Sequence, residues 1–162
     1  MGIVIQANIE QRIKTITGGS LTVEDGVELL FAAGSGLEVQ DNGASITGTL
    51  TVQGTAEAPV IMRPATETDN TAFWKGVVIL STGSSSIEHA DIGFGGGRTD
   101  LSIPANDGGN VIVVGPGILE INNTHLHDAP MCLERIDTGG TPPVVTGGAG
   151  MSTDACSATD LP

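Results

Sequence analysis

The tripeptide Leu21-Thr22-Val23 recurs unchanged at Leu50-Thr51-Val52, with variants at Leu37-Glu38-Val39 and Leu119-Glu120-Ile121. Internal self-similarity constrains a fold more than any single motif, because every copy must find an equivalent environment. Two staggered series emerge. One starts at residues 21, 50, 77 and 111, with steps of 29, 27 and 34; the other starts at 37, 60, 87, 119 and 144, with steps of 23, 27, 32 and 25. The longest step of each spans the polar stretch from Arg98 to Gly109, which contains Pro104 and reads as a loop inserted into one coil.

Nearly every apolar cluster is short, β-branched and alternating, and is bounded by Gly, Ser, Asn or Asp, which is the signal of strands. Strands at such steps, joined by turns too short and Gly-rich for crossover helices, predict an all-β fold: a single right-handed parallel β-helix of about five to six coils, stacked about 4.8 Å apart. A dry interior of stacked aliphatics accounts for a composition of 24 Gly and 8 Pro with no Tyr and four aromatics, Phe31, Phe73, Trp74 and Phe94. The 162 residues read as one domain. Residues 1–17 form an N-terminal cap or first coil, 18–133 the coils with an insertion at 98–109, and 134–162 a Gly/Pro/Thr-rich final coil or tail. Near the start, Asn8 and Gln11 could cap a helix carrying Ile9, Ile13 and Ile16, while Lys14-Thr15-Ile16-Thr17 also reads as a strand; the two remain open.

Six basic against 19 acidic residues give a net charge of -13, which argues against nucleic acid and anionic membrane surfaces as partners. No apolar run approaches the roughly 20 residues needed to span a bilayer. Met1-Gly2-Ile3-Val4-Ile5 lacks the basic and apolar regions of a signal peptide, so any export signal is expected to have been removed already.

The run "GGSLTVEDGVELLFAAGSGLEVQDNGASITGTLTVQGTAEAPVIMRP", followed by "FWKGVVIL", "SSSIEHADIGFGGG" and "GILEINNTHLHDAP", resembles the right-handed parallel β-helix repeats of secreted and cell-surface bacterial proteins, with a pectate-lyase-like fold. There a Gly-Thr-Ala-Glu-x-Pro turn, a Trp-x-Gly strand and a strand ending in Gly-Gly follow one another. The likeness covers residues 18 to 133. It implies a fold and an extracellular or cell-surface location, but no single activity, since similar helices serve as polysaccharide lyases and hydrolases, adhesins, fibre segments and stalks. Aligning the second series puts Ile87 under Leu119, His89 under Ile121 and Asp91 under Asn123. His89 then faces the core, and Asp91 and Asn123 form a structural ladder capping backbone N–H groups.

His125 and His127 flank Leu126 on alternate strand positions, with Asp128 adjoining. Two His and a carboxylate could hold a metal, although a third ligand of fixed spacing is missing; with Leu126 pointing inward, the two His are simply exposed polar partners. "GFGGGRTDL" faintly resembles a Gly-Gly-x-Gly-x-Asp calcium repeat, but Arg98 stands at a required Gly and there is one copy. Asp100 and Asp107, in the inserted loop, offer oxygen ligands that could take calcium. Cys132 and Cys156 follow neither a zinc nor a redox spacing. They lie 24 residues apart, about one coil, which suits a disulfide between adjacent rungs in an oxidising compartment; two free thiols are the alternative.

No catalytic set is assigned. Arg12-Ile13-Lys14 matches one element of a pectin hydrolase but stands at the wrong end of the chain without the others; Lys75 lies beside Trp74 in the rung motif, and Arg98 and Arg135 read as isolated from carboxylate clusters. Thr47-x-Thr49-x-Thr51 would display three hydroxyls on one face, as ice-binding solenoids do, but such arrays must recur on successive coils and residues 77–80 carry none. The expected function is a non-enzymatic exported or cell-surface module: a rigid spacer, adhesive or glycan-binding domain, with polysaccharide as a partner and end-to-end homo-oligomers as an assembly mode. A polysaccharide-degrading enzyme fragment is the alternative, and ice binding a further one.

Overall fold

The computed structural model describes residues 13–43, 45–97, 108–158 and 160–162, with nothing said of the side chains of residues 13–15. Each rung consists of three strands. The first rung is β1 (Ile13–Thr17), β2 (Gly19–Glu24) and β3 (Glu28–Phe31); the second is β4 (Gly36–Gln40), β5 (Gly48–Gln53) and β6 (Val60–Pro64). The third is β7 (Val77–Ile79), β8 (Ser84–Glu88) and β9 (Ala90–Gly93), and the fourth is β10 (Gly109–Val114), β11 (Ile118–Asn122) and β12 (His125–His127). The last is β13 (Met131–Ile136), β14 (Val144–Gly147) and β15 (Ser152–Asp154). Strands of the same position in successive rungs pair in parallel, giving three five-stranded sheets: β1-β4-β7-β10-β13, β2-β5-β8-β11-β14 and β3-β6-β9-β12-β15. The fold is a parallel β-solenoid. Among the described residues no helix is long and apolar enough to cross a membrane.

The repeated tripeptide stacks on itself, with Leu21 opposite Leu50, Thr22 opposite Thr51 and Val23 opposite Val52. Inward positions form continuous apolar columns, such as Val39 and Ile79 in the first sheet, Val52, Ile87 and Ile121 in the second, and Met62, Ile92 and Leu126 in the third, all essentially excluded from solvent. Burial of each such side chain stabilises by about 1.5–3 kcal/mol before conformational entropy is counted. Ser85 interrupts a column between Leu50 and Leu119, and its hydroxyl accepts a hydrogen bond from the Leu50 N–H at 3.1 Å, so the polar atom inside is satisfied.

The first sheet differs from the others in being buried on both faces. Val78, Ile112, Val114 and Ile136 form a second, smaller apolar cluster on its outer side, and this is why the runs at 77–80 and 111–114 are continuous rather than alternating.

Several expectations are corrected. The five rungs make about four turns, slightly fewer than expected, because two steps are far longer than the mid-twenties: Leu37 pairs with Val77, 40 residues on, and Val77 with Val111, 34 on. The first of these long connections, residues 65–76, carries Trp74 as a loop residue rather than on a strand. Its indole is fully buried, stacks on Phe31 with centroids 4.0 Å apart, and donates from Nε1 to the Gly93 carbonyl at 2.7 Å. The two inferred series also mix sheets, since residue 50 lies on β5 and residue 77 on β7. Residues 13–17 are a strand, so the helix alternative fails there, and they make a first rung rather than a cap. Residues 134–162 supply most of the last rung, the final-coil alternative.

Cys132 and Cys156 are disulfide-bonded, with Cα atoms 5.2 Å apart. After β15 the chain returns to the edge of β13, where the Cys132 N–H donates to the Ser157 carbonyl at 2.8 Å and Met131 pairs with Ser157. The bond joins adjacent levels of the coil, as the 24-residue spacing suggested.

Candidate functional site

The outer face of the third sheet gathers the titratable side chains that the sequence left apart. On β12 the alternation of a strand puts Leu126 into the core and turns His125 and His127 outward, both half-buried. Asp91 on β9 lies directly beneath His125 in register, with Ile92 beneath Leu126 and Gly93 beneath His127. Asp91 therefore reaches both imidazoles: its Oδ2 lies 3.2 Å from His125 Nδ1 and its Oδ1 lies 2.9 Å from His127 Nε2. Asp128 completes the group, with Oδ2 at 2.7 Å from His127 Nδ1.

Local backbone makes this convergence possible. A Cβ on Gly93 would collide with the His127 ring, so only glycine lets that imidazole lean across the rung towards Asp91. The corners that follow β9 and β12 are left-handed at Phe94 (φ 63°) and Asp128 (φ 49°). Such a conformation costs a non-glycine residue roughly 1–2 kcal/mol, least for Asp and Asn. It places the Phe94 ring edge-on to His127, centroids 5.7 Å apart, and the Asp128 carboxylate next to the His127 ring nitrogen. The two imidazoles stack on each other at 4.8 Å with their planes 20° apart.

The electrostatics follow from these contacts. The hydrogen bond that His127 donates to Asp91, seconded by the one to Asp128, outweighs burial and raises the His127 imidazole to about 9, so at neutral pH it is an imidazolium held between two carboxylates. Asp91 is correspondingly lowered, first by His127 and then by His125, against the opposing effect of burial. A second carboxylate of depressed pKa, Asp41, occupies the corner after β4, where Ser81, Thr82 and Gly48 donate to it and hold it at about 2.

Of the residues expected at sites, His125, His127 and Asp128 come together, and Asp91 joins them as a carboxylate in contact with both imidazoles. Asp100 and Asp107 lie outside the described residues, as do Arg98 and most of the inserted loop. The ladder of Asp91 on Asn123 is not formed: the true register is offset by two residues, pairing Asp91 with His125 and Ile87 with Ile121. His89 is half-buried rather than core-facing, and it and Asn123 take equivalent left-handed corners, at φ 49° and 47°. Two of the basic residues have described partners. Lys75 is nearly buried and close enough to Glu38 to offset part of the rise that burial imposes on that carboxyl. The Arg135 backbone N–H donates to Asp160 Oδ2 and its Nε to the Asp160 carbonyl, both at 3.0 Å.

Two further surface features matter for function. A shallow cleft of about 340 Å³ lies beyond Phe94, lined by Arg63, Glu67 and Asp69 among others, with Arg63 paired to Glu28. On the outer face of the second sheet, Ser20 and Thr22 lie beneath Thr49 and Thr51, and Ser84 and Ser86 on β8 continue the two hydroxyl columns onto a third rung. The recurrence that residues 77–80 lacked is therefore supplied by residues 84–86, because β7 belongs to another sheet.

No protein-family model matches this chain, and neither does any curated protein or solved structure with which it was compared. The β-solenoid thus stands on the pairing of its own strands.

Proposed function

We propose that the chain is a non-enzymatic β-helix module of an exported or cell-surface protein, whose work is to hold a stiff, extended form. One observation carries the reading: the inward columns and the three parallel ladders run from the first rung to the last, and a disulfide fastens the final level to β13. In such a solenoid each rung is supported by its neighbours, so length and rigidity come from stacking. The disulfide is compatible with an oxidising compartment, and the likeness to secreted and cell-surface bacterial β-helix repeats points the same way. The acidic, hydroxyl-bearing exterior suits an adhesive or glycan-contacting role better than nucleic acid or anionic lipid.

A screen of the isolated chain against immobilised glycans and soluble polysaccharides, with and without calcium, tests the reading. Release of unsaturated or reducing ends would overturn it and direct attention to the cleft between Arg63 and Phe94. Binding without cleavage selects the adhesive form, and silence on both selects the spacer. End-to-end assembly is a corollary, checked by light scattering across a wide concentration range; a constant monomer would remove it.

Ice adsorption is the second reading, favoured by the hydroxyl columns of β2, β5 and β8. Alternate residues on a strand are about 6.6 Å apart and rungs about 4.8 Å apart, so these six hydroxyls form a small regular lattice. Ile118 and Glu120 end it on the fourth rung. Thermal hysteresis that disappears in Thr51→Lys would support this reading, and freezing behaviour indistinguishable from an inert protein would dismiss it.

A further inference from the structure

We propose that Asp91, His125 and His127 form a binding site for one divalent transition-metal ion of the zinc class, clamping the third rung to the fourth. The inference is independent of the spacer reading and rests on geometry and donor chemistry. One ligand atom from each of Asp91, His125 and His127 lies within 4.8 Å of the other two, and Asp91 contacts His127 Nε2 at 2.9 Å and His125 Nδ1 at 3.2 Å. Metal–ligand bonds of about 2.0–2.1 Å in a tetrahedron put ligand atoms about 3.3 Å apart. Closing the set requires the two stacked imidazoles to turn out of parallel so that both ring lone pairs aim at one point beside Asp91.

The donors choose the metal. Two imidazoles and one carboxylate suit zinc, copper or nickel, whereas calcium and magnesium require a shell of oxygens that this cluster does not offer. Three protein ligands leave one position for water, and the group is half-exposed, so an ion has a path in. The surroundings are those that a metal-bound histidine needs. Asp128 takes the Nδ1–H of His127, which fixes the ring and leaves Nε2 as the metal-facing nitrogen. Gly93 provides the space for that ring and Phe94 braces its edge. On binding, the ion takes the place of the His127 Nε2 proton, which passes to solvent. Both cysteine sulfurs are in the disulfide and offer no thiolate to compete.

The test is calorimetric titration of the full, tag-free chain, stripped with chelator, with zinc chloride at neutral pH, together with thermal melts with and without zinc. One ion per chain is expected, with a melting temperature that rises with zinc concentration. His125→Gln and Asp91→Asn should each weaken binding by more than the about 10–100-fold that a supporting carboxylate contributes. His89→Gln, whose ring lies at another corner, should bind as the parent does. Circular dichroism separates loss of a ligand from loss of the fold, and with two ligand variants one misfolded protein does not remove the test. No binding by the parent chain, or binding unchanged in both ligand variants, overturns the proposal and leaves the cluster as an ion-pair network.

Discussion

Two carboxylates brace neighbouring rungs of this solenoid, and they differ in what donates to them. Asp41 joins the second rung to the third through neutral donors: the Thr82 hydroxyl at 2.8 Å, the Thr82 and Gly48 N–H groups at 3.1 and 3.2 Å, and the Ser81 hydroxyl. Asp91 joins the third rung to the fourth through two imidazoles. Hydroxyl and amide donors keep their protons at any ordinary pH, so the first brace is permanent. An imidazolium can give up its proton, so the second brace can be broken by base or remade around a cation. The same rung-to-rung bridge is thus fixed or exchangeable according to the donor alone.

The most severe way to break this contrast is Gly93→Val. The added side chain occupies the space of the His127 ring, so overpacking is expected to cost about 1–3 kcal/mol and to remove zinc binding, while the Asp41 corner is untouched. Denaturant unfolding and zinc titration of the same protein report the two effects. Next come the carboxylates themselves. Asp41→Ala strands the Thr82 hydroxyl and two N–H groups at a partly exposed corner, while the Ser81 hydroxyl still donates to the Gly48 carbonyl, and should cost about 1 kcal/mol, towards the low end for unsatisfied polar groups. That cost should be the same in chelator and in saturating zinc. Asp91→Ala should cost more in zinc than in chelator, because only the parent gains stability from the ion.

How far the sequence disclosed these sites depends on how strongly each rung resembles the next. Leu21-Thr22-Val23 and Leu50-Thr51-Val52 are identical, and their register is legible by inspection. "SSSIE" and "ILEIN" share one aligned isoleucine, Ile87 with Ile121, and here the alignment slipped by two residues. Strand periodicity is two, so within the strands that slip keeps inward residues inward and the apolar pattern cannot expose it. It does move the corners, and it set Asp91 against Asn123, hiding the residue that completes the histidine pair. Trp74 was misplaced for a related reason: an apolar residue beside "KGVVIL" looks like strand, whereas its burial comes from stacking on Phe31 of an earlier rung. The disulfide was legible because the 24-residue interval is itself a measure of one coil.

Titration separates the two braces next. His127 is raised from 6.5 to about 9 on folding, so its bridge contributes fully below pH 6.5 and is lost as pH rises through 9. Asp41 is lowered from 3.8 to about 2, so its contribution is full above pH 3.8 and is lost as pH falls through 2. Thermal stability measured in chelator should therefore decline on both sides. His127→Gln should flatten the alkaline side and leave the acid side sloping. Asp41→Asn should reduce the acid slope without abolishing it, because Asp91 is lowered too. If His127→Gln left the alkaline limb unchanged, the exchangeable character assigned to that brace would be wrong.

The smallest effect is expected from Asp128, and it refines what makes a brace exchangeable. Asn tolerates the left-handed corner at φ 49° as well as Asp does, so Asp128→Asn changes charge with little change of backbone. Its carboxamide oxygen still accepts from His127 Nδ1, which keeps the ring aimed at Asp91, but the negative charge that makes Nε2 a better donor is gone. Zinc affinity should fall by about tenfold, the lower end of the range for carboxylates behind a metal-bound histidine, and stability in chelator should fall modestly because Asp128 helps to raise the His127 imidazole. Asp128→Ala loses the acceptor as well and adds left-handed strain, so its affinity should fall towards about 100-fold. A calorimetric series across the two variants divides orientation from charge. Equal losses would mean that orientation contributes nothing beyond charge, and that Gly93 and Phe94 alone hold the imidazole in place.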